Sequence, residues 1–517
     1  MISSHRSLPG DVRSPSIPLS GRSYSKPLIA ILTVLFICLM FLALSCGPLF
    51  FQNGIARTSA IVPIFSSAIR VNDNVNEYTA QANPDSALLP NGKLFVVWRD
   101  ERNGKKDVYS SLSNENINYF SPNKKINARS SDFTNYLYPA IAFCKNNVYV
   151  VWEENYYSTF HHHIMFSRST DGGSTFGPNI RVDDMPLNVN SQEKPSITVA
   201  EDGTVIVAWI NFIDNSTVSR VRFAIYDPLS NSFSPNFELP NYFVSSTRQT
   251  SVSLVTNRNY VYVGYLDDWS GLPHPYITWS DDACRSFLPK KPLQLDICDN
   301  PAAYQQELSL APYPKGAVVA IWSDNRNGDW DIYGALVHRY RGLIGENFRV
   351  DDGPKGTLQR NPTIAIDANN GIYAAWSDDR YSDSDYTTWG IRFAYASCGN
   401  LPIAFTPSVS VLSPKRGEDQ MSPSIAVGGP NNIYITYSRI EDKATQPDIY
   451  MSAGVLSVTS SASSTANILT AFLTSAASMA FVIAKEETRN RKREILPKIH
   501  SLPVAVRAVS GTALILR

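Results

Sequence analysis

Several common signals are scarce in this chain of 517 residues, and each scarcity excludes a class of protein. Charged residues make up only 18%, and the formal net charge is zero. Both ends are basic, with a balance of +3 over residues 1–45 and +5 over residues 485–517, so residues 46–484 carry −8. This mildly acidic central part offers no concentration of positive charge, so no nucleic-acid partner is expected.

Cysteine is also scarce. None of the six cysteines is paired as Cys-x-x-Cys, so the usual spacing of a zinc site is missing, and neither a metal nor another cofactor is predicted. Cys284 and Cys298 are close enough in sequence to form a disulfide in an oxidising compartment. Free thiols throughout the central part are the alternative.

Helical periodicity is rare in the middle of the chain, whereas aromatic residues and proline are frequent, with 26 Tyr, 9 Trp and 33 Pro. This composition is typical of an all-β protein with many turns. A phrase recurs seven times: a proline in most copies, an apolar pair, a turn, and an alternating strand that ends in an aromatic residue. The seven aromatic residues are Trp98, Trp152, Trp209, Tyr265, Trp322, Trp376 and Tyr437.

These aromatic residues are separated by similar numbers of residues, and further strand-like phrases follow each of them. Such a repeat predicts a seven-bladed β-propeller of four-stranded blades over residues 68–455. A linear solenoid would need capping repeats, and the sequence shows none. The seventh unit lacks a good fourth strand, while an unpaired copy of that strand stands at residues 69–73. We therefore expect this N-terminal strand to complete the seventh blade and close the ring.

The two ends contain the apolar runs. Residues 1–26 are predicted to be a basic cytoplasmic segment and residues 27–45 a signal anchor, since the uncharged run is long enough to span a bilayer and follows positive charge. Cleavage after Ser45 as a signal peptide, or lipidation of Cys46, are the alternatives. Residues 46–67 are predicted to be a linker.

At the other end, residues 456–465 are rich in Ser and Thr and predict a flexible stalk. Residues 466–484 carry no charge and precede the basic tail 485–517, which favours a second transmembrane helix. A helix packed on the propeller is the alternative. The propeller is thus expected to face the outside of the cell, which agrees with a glycosylation sequon at Asn215.

The second unit contains the octapeptide STDGGSTF at residues 169–176, which matches the Asp box, S-x-D-x-G-x-[ST]-[WF]. Weaker copies lie at residues 280–287, where Cys284 replaces the glycine, and at residues 113–120. The chain therefore resembles the sialidase-like, BNR-repeat propellers over about three quarters of its length. In that family the box is a structural turn between the third and fourth strands, on the face opposite the ligand. Its residues here are Ser169, Asp171, Gly173 and Phe176.

A second phrase, W-x-D-x-R, follows the second strand of three units, on the face where the resemblance implies a ligand. Arginine offers a planar fork for a carboxylate, and paired carboxylates can act on a sugar. Repetition favours a structural pair instead, because a catalytic residue is needed only once. The candidates on this face are Asp100, Arg102, Asp324, Arg326, Asp378 and Arg380, together with Arg248 and Arg360.

Two further patterns are weaker. Gln81, Gln192, Gln359 and Gln420 each precede a proline by three residues, which predicts hydrogen bonds between blades near the channel, or else a polar lining for a ligand. His161 and His163 fall in the hairpin after the second strand of the second unit and are able to face one way and bind a metal ion, although an exposed polar loop is favoured.

Active sialidases carry three arginines for the substrate carboxylate, a Tyr–Glu nucleophile pair, an Asp acid/base and an early Arg-Ile-Pro motif. This chain has no Arg-Ile-Pro, and no spacing selects the three arginines. We therefore favour a membrane-tethered, non-catalytic propeller that binds a glycan or a cell-surface protein. An exo-acting glycoside hydrolase of the sialidase type is the alternative, and a structural role in the cell envelope is a third possibility.

Overall fold

The computed structural model describes residues 59–460, apart from short gaps at 75, 77, 129–133, 157–160, 188, 215, 241–246, 299, 301, 430–431 and 442–444. Nearly all of these residues belong to one compact unit, Ile61–Ser457. The predicted membrane segments 27–45 and 466–484 and the sequon residue Asn215 lie outside the description. Within the described part, no helix has the length and apolarity needed to cross a membrane.

The described secondary structure consists of thirty strands and one 3₁₀ turn, Pro314–Gly316. The first fifteen strands are β1 Ser59–Phe65, β2 Ile69–Arg70, β3 Gln81–Leu88, β4 Leu94–Asp100, β5 Asp107–Leu112, β6 Lys124–Lys125, β7 Thr134–Cys144, β8 Asn147–Tyr156, β9 His161–Ser169, β10 Ile180–Arg181, β11 Ser191–Val199, β12 Val205–Phe212, β13 Ser219–Asp227, β14 Ser232–Phe233 and β15 Phe237–Glu238. The remaining strands are β16 Gln249–Asn257, β17 Tyr260–Asp267, β18 His274–Ser280, β19 Leu288–Gln294, β20 Gln305–Tyr313, β21 Ala317–Asp324, β22 Asp331–His338, β23 Gly342–Arg349, β24 Gln359–Ile366, β25 Gly371–Asp378, β26 Gly390–Ser397, β27 Val409–Ser410, β28 Asp419–Gly428, β29 Asn432–Ile440 and β30 Asp448–Ser460.

These strands form seven antiparallel sheets, and in six of them the strands follow one another in chain order. The first strand of each sheet contacts the first strand of the next, from β3 through β7, β11, β16, β20 and β24 to β28, which contacts β3 again. The first strands therefore form a closed inner ring. The predicted all-β, seven-bladed propeller is confirmed.

The seventh blade is closed by the N-terminal strand, as predicted. It contains β28, β29 and β30, and β2 pairs antiparallel with β30 through Ile69 opposite Met451 and Arg70 opposite Tyr450. Two details differ from the prediction. Strand β1 also pairs with β30, so part of the expected linker 46–67 is a strand, and β30 itself runs to Ser460, into the expected stalk. Because β30 is long, it has room to pair with both N-terminal strands.

The core lies between neighbouring sheets rather than within them. All seven repeat aromatics, Trp98 to Tyr437, are fully buried near the end of the second strand of their blades. One apolar cluster joins Ile206 and Phe223 of the third blade to Val263 and Phe287 of the fourth. Because each second strand has a blade on both sides, its residues are buried on both faces, and this accounts for nearly unbroken apolar runs such as VIVAWINF in β12.

The four cysteines of the propeller, Cys144, Cys284, Cys298 and Cys398, are free thiols. Of the two alternatives, the disulfide between Cys284 and Cys298 is therefore not formed. Cys284 is fully buried in the turn that it shares with Phe287.

Candidate functional site

The two faces of the propeller differ because of strand order. In each blade, the connection from the second to the third strand and the connection to the next blade lie on one face, called here the upper face. The connections from the first to the second strand and from the third to the fourth lie on the other, lower face.

Every innermost strand carries a β-bulge near its upper end. The register with the second strand shifts there, for example between Glu193 and Ser196 in β11, and one residue adopts a positive φ of 47 to 59°. Such a φ is unusual for residues other than glycine. The bulge changes the direction of one side chain per blade, and five of the seven residues line the cavity described below. These residues are Asn83, Tyr138, Lys194, Ser251, Glu307, Asn361 and Ser422.

A buried glutamine lies two residues before the bulge in six blades, whereas the second blade has Tyr136 at this place. None of the six glutamines is more than 1% exposed. Some of them join blades: Gln249 accepts a hydrogen bond from the backbone N–H of Val221 at 2.9 Å, and Gln420 accepts one from Ile391 at 3.3 Å. Only Gln305 of the six is among the residues that line the cavity described below, so the glutamines as a set do not form a ligand-lining ring. The sequence pattern had shown only four of them.

The W-x-D-x-R phrase forms a closed clasp in the first blade. Asp100 is fully buried at the end of β4 and accepts hydrogen bonds from Trp98 Nε1 at 2.8 Å and from Arg102 Nε and Nη2 at 2.9 and 2.8 Å. The guanidinium of Arg102 lies 4.3 Å from the ring centroid of Tyr109. Both oxygens of the carboxylate thus accept hydrogen bonds from its own blade, and its burial keeps it away from the surface where a ligand would bind.

The same clasp recurs in the fifth and sixth blades. Asp324 and Asp378 are also fully buried, and Arg326 and Arg380 bind them through two guanidinium nitrogens each, at 2.6 to 3.0 Å. A second carboxylate, that of Asp352, lies 2.9 Å from Nη2 of Arg380. Burial would lower the pKa of Arg380, but these two carboxylates raise it above its ordinary value.

The second, third, fourth and seventh blades lack the clasp. Their buried aromatic residue is followed two positions later by Glu154, Asn211, Asp267 or Arg439, and no arginine stands two residues beyond. The second, third and fourth blades form one continuous sector. A cavity of about 620 Å³ opens on the upper face over part of this sector. This size suits a small ligand. It is lined by Tyr138, Lys194, Arg248, Thr250, Ser251, Leu266, Asp268, Gly271, Leu272, Pro273, Tyr304, Gln305, Gln306, Glu307 and Asn361.

The cavity has two exposed cations. Neither the Lys194 nor the Arg248 side chain has an ion-pair partner among the described residues, and the guanidinium of Arg248 lies 5.3 Å from the ring centroid of Phe212. Asp268 accepts the backbone N–H of Arg248 at 2.6 Å. The hydroxyphenyl groups of Tyr138 and Tyr304 add flat apolar surface with a polar end.

Glu307, a second acidic residue of the lining, is held by hydrogen bonds from neighbouring residues. Glu307 accepts hydrogen bonds from the backbone N–H of Asn361 at 2.7 Å, from Ser323 Oγ at 2.8 Å and from Arg360 Nε at 3.2 Å. Arg360 also stacks on Trp330, with 4.3 Å between the guanidinium and the ring centroid. Glu307 and Arg360 therefore join the fifth and sixth blades to each other. Of the predicted arginines, only Arg248 lines the cavity.

The three consecutive histidines of β9 are split between the two faces of the sheet. His161 Nε2 lies 3.0 Å from Asp214, and His163 Nδ1 lies 3.1 Å from Asp183, so these two do not share a partner. His162 faces the other way. Its Nδ1 lies 2.6 Å from Glu153 Oε1 and 3.8 Å from Glu193 Oε1.

The Asp box lies on the lower face, between β9 and β10, at the position that the resemblance implied. Asp171 accepts hydrogen bonds from Ser169 Oγ at 2.7 Å and from Thr175 N and Oγ1 at 2.8 and 2.6 Å. Gly173 has a φ of 85°, and an added Cβ would lie 2.7 Å from the ring of Phe95, so glycine is required there. Phe176 packs on the same ring at 5.8 Å between centroids.

The copy at residues 280–287 has the same geometry. Asp282 accepts Ser280 Oγ at 2.7 Å and Ser286 Oγ at 2.6 Å, and Cys284 takes the place of the glycine with a φ of 67°. The Asp box is therefore a turn that holds its loop together, remote from the cavity on the upper face.

No family model matches the sequence, and no curated protein matches it. Solved structures do match. An ulvan lyase from a new family of polysaccharide lyases has a TM-score of 0.51 at 10% identity, over 74% of this chain and 95% of its own. The ulvan lyase structure bound to -[GlcA(1-4)Rha3S]- has a TM-score of 0.50 at the same identity and coverage.

A weaker match is the α-L-arabinanase of Penicillium chrysogenum, with a TM-score of 0.41 at 13% identity over 77% of this chain and 98% of that one. At identities this low, the likeness to the ulvan lyase shows a common fold alone. The chain is a seven-bladed β-propeller, a fold that it shares with this polysaccharide lyase.

Proposed function

We propose that this propeller binds an acidic saccharide in the cavity on its upper face, without cleaving it. The observation that carries the proposal is the pair of exposed cations, Lys194 and Arg248, beside Tyr138 and Tyr304 in a cavity of about 620 Å³. Cations bind carboxylate or sulfate groups, and the flat faces of tyrosine rings suit the apolar faces of sugars.

The position of the cavity supports the same proposal. Most of its lining comes from the second, third and fourth blades, which lack the repeated clasp, and the rest comes from the fifth and sixth blades. Features that depart from a repeat are free to serve one ligand. The fold is also that of a lyase whose structure holds -[GlcA(1-4)Rha3S]-, which contains a uronic acid.

Binding is favoured over sialidase-type hydrolysis because of the arginines. The resemblance implies three arginines around the substrate carboxylate, and the cavity lining contains only Arg248. Arg102, Arg326 and Arg380 are bound to buried aspartates of their own blades, and Arg360 is bound to Glu307. We further propose that residues 27–45 hold the propeller at a membrane, facing outside, where a glycan or a cell-surface protein is its partner.

The test is to measure binding of the purified full chain to a panel of neutral, uronic and sulfated oligosaccharides. The double variant Lys194→Ala/Arg248→Ala should weaken binding to acidic members at least about tenfold, because each lost contact to a charged group is worth on the order of 1.5–3 kcal/mol. The matched control is Lys290→Ala/Arg285→Ala, which removes the same charge from exposed residues away from the cavity.

Equal binding by the two double variants, or no binding of any acidic saccharide, would refute the proposal. The same preparation should be incubated with a fluorogenic sialoside and other glycosides. Turnover that is lost in Arg248→Ala would establish the hydrolase alternative instead.

A further inference from the structure

Glu153, His162 and Glu193 come together between the second and third blades, near the upper face. Glu153 lies on β8 and His162 on the neighbouring strand β9, where the register sets them diagonally across the pair. Glu193 lies on β11, the innermost strand of the next blade. The cluster thus forms only where two blades pack together, and no short sequence motif predicts it.

We infer that these three side chains bind a divalent transition-metal ion. One nitrogen or oxygen from each residue lies within 4.8 Å of the corresponding atoms of the other two. Zinc bonds to histidine nitrogen and carboxylate oxygen are about 2.0–2.2 Å long, so two ligands of one ion are at most about 4.4 Å apart. The separation of 3.8 Å from His162 Nδ1 to Glu193 Oε1 falls within that limit, whereas the 2.6 Å to Glu153 Oε1 is an ion-pair contact that would have to widen slightly to admit the ion.

The chemistry of the donors favours such an ion over a set of ion pairs. Two carboxylates and one imidazole give a mixed oxygen and nitrogen set, which suits Zn²⁺ and its neighbours in the first transition row. Glu153 is only 1% exposed, and burying a carboxylate near a second one is costly unless positive charge compensates both. A divalent cation supplies that charge.

His162 is held in a position to coordinate. Its Nδ1 is buried and makes no well-formed hydrogen bond, even though it is close to Glu153 Oε1. Its other nitrogen, Nε2, lies against the side-chain amide nitrogen of Asn155, directly opposite on β8. A 180° rotation of this amide puts its oxygen in place to accept the Nε2–H that coordination through Nδ1 requires. An outer partner of this kind fixes the ring and is typical of metal-bound histidine. Glu153 is fixed as well, since its Oε2 accepts the backbone N–H of Lys194 at 3.1 Å.

The cluster adjoins the cavity. Lys194, which follows Glu193, lines the cavity, and so does Tyr138. With three protein ligands, an ion would keep one coordination position open.

The experiment uses the full chain, treated with a chelator and then titrated with Zn²⁺, with Mn²⁺ and Ca²⁺ for comparison and without any saccharide. Bound metal is measured by elemental analysis, and affinity by competition with a chromophoric chelator. We expect one equivalent of Zn²⁺ per chain and a loss of affinity of at least about tenfold in Glu193→Gln and in His162→Gln. Glu193→Gln keeps the size of a half-exposed side chain, so it tests the site even where His162→Gln folds poorly.

The matched control is His161→Gln, which removes the adjacent histidine on the opposite face of the strand and should leave zinc affinity within about twofold. Absence of a bound equivalent in the wild type would overturn the inference, and so would equal affinity in the wild type and Glu193→Gln. Because no saccharide is present, failure here is separate from failure of the saccharide-binding proposal.

Discussion

The contribution of an aspartate–arginine ion pair to stability depends on whether water reaches the two side chains. Asp324 is fully buried under Arg326, whose side chain is 11% exposed, whereas Asp385 and Arg416 form an ion pair whose side chains are 66% and 55% exposed. A buried charge that loses its partner cannot be solvated, and an exposed one can. The two pairs therefore have very different effects on stability.

We predict that Asp324→Ala lowers the free energy of unfolding by about 3–5 kcal/mol, because Arg326 and Trp322 Nε1 lose a common buried acceptor. Urea denaturation followed by tryptophan fluorescence measures the change. Asp385→Ala is the matched control and should cost less than about 1 kcal/mol. Similar losses in both variants would show that the clasp has no special role.

The pKa of the Asp171 carboxyl determines how the stability of the Asp box changes with pH. Burial acts to raise its pKa, but hydrogen bonds from Thr175 and Ser169 outweigh it and lower the pKa to about 2, from 3.8. A carboxyl with a lowered pKa in the folded state stabilises the fold fully above pH 3.8 and loses this contribution as the pH falls toward 2.

We therefore expect the melting temperature of the wild type to fall between pH 4 and pH 2 by more than that of Asp171→Asn, which has no charge to lose. The effect is small because Asp171 is exposed. Asp281→Asn, which removes the same charge at another exposed turn position of the lower face, is the comparison for general acid effects. Parallel pH curves for the wild type and Asp171→Asn would contradict the assignment.

At the scale of elements, the bulge in each innermost strand combines two demands. The strand pairs with its neighbour on both sides of the bulge, and the bulge also changes the direction of one side chain per blade. The extra residue meets both demands by adopting a positive φ, which costs a residue other than glycine on the order of 1 kcal/mol. Five of the seven bulge residues line the cavity on the upper face.

Ser422 of β28 tests this cost. A β-branched residue tolerates positive φ poorly, so Ser422→Val should destabilise the protein by about 1–2 kcal/mol, while Ser422→Gly should stay within about 0.5 kcal/mol. Met421→Val, one residue earlier on the same strand, is the control without a positive φ. Thermal unfolding of the three variants makes the comparison, and equal effects of Ser422→Val and Met421→Val would contradict it.

At the scale of the molecule, Asn72 closes the ring. Its Nδ2 donates to Asp448 at 2.8 Å, and its Oδ1 accepts the backbone N–H of Ile449 at 2.8 Å. In the first blade Asn127 makes the same two bonds, to Asp107 and from Val108, each at 2.9 Å. The difference lies in sequence separation: the bonds of Asn127 join residues about 20 apart, and those of Asn72 join opposite ends of the propeller.

We predict that Asn72→Ala and Asn127→Ala each lower the free energy of unfolding by on the order of 1–3 kcal/mol, since each leaves a buried backbone N–H without an acceptor. Only Asn72→Ala should also open the ring. Hydrogen exchange should then quicken in β30, β3 and β28 of that variant, and remain slow there in Asn127→Ala. Equal exchange in the two variants would show that closure does not depend on this residue.

The sequence alone determined the architecture of this protein. Alternating strands, a repeated buried aromatic and a stray copy of a fourth strand at residues 69–73 are local patterns, and local patterns fix which residues pair within a blade. The same patterns misplaced the N-terminal boundary, because β1 pairs with the extended end of β30, far away in sequence. The membrane segments at both ends remain predictions.

Only the tertiary structure decided which polar residues are available to a ligand. The W-x-D-x-R phrase resembled a binding motif in the sequence, but burial commits Asp100 and Arg102 to each other. Conversely, the sequence spacing of Glu153, His162 and Glu193 does not indicate a metal site. These residues come together because two blades pack side by side. Sequence spacing reports contacts along one strand or hairpin, whereas a site between blades depends on distances that only the closed ring sets.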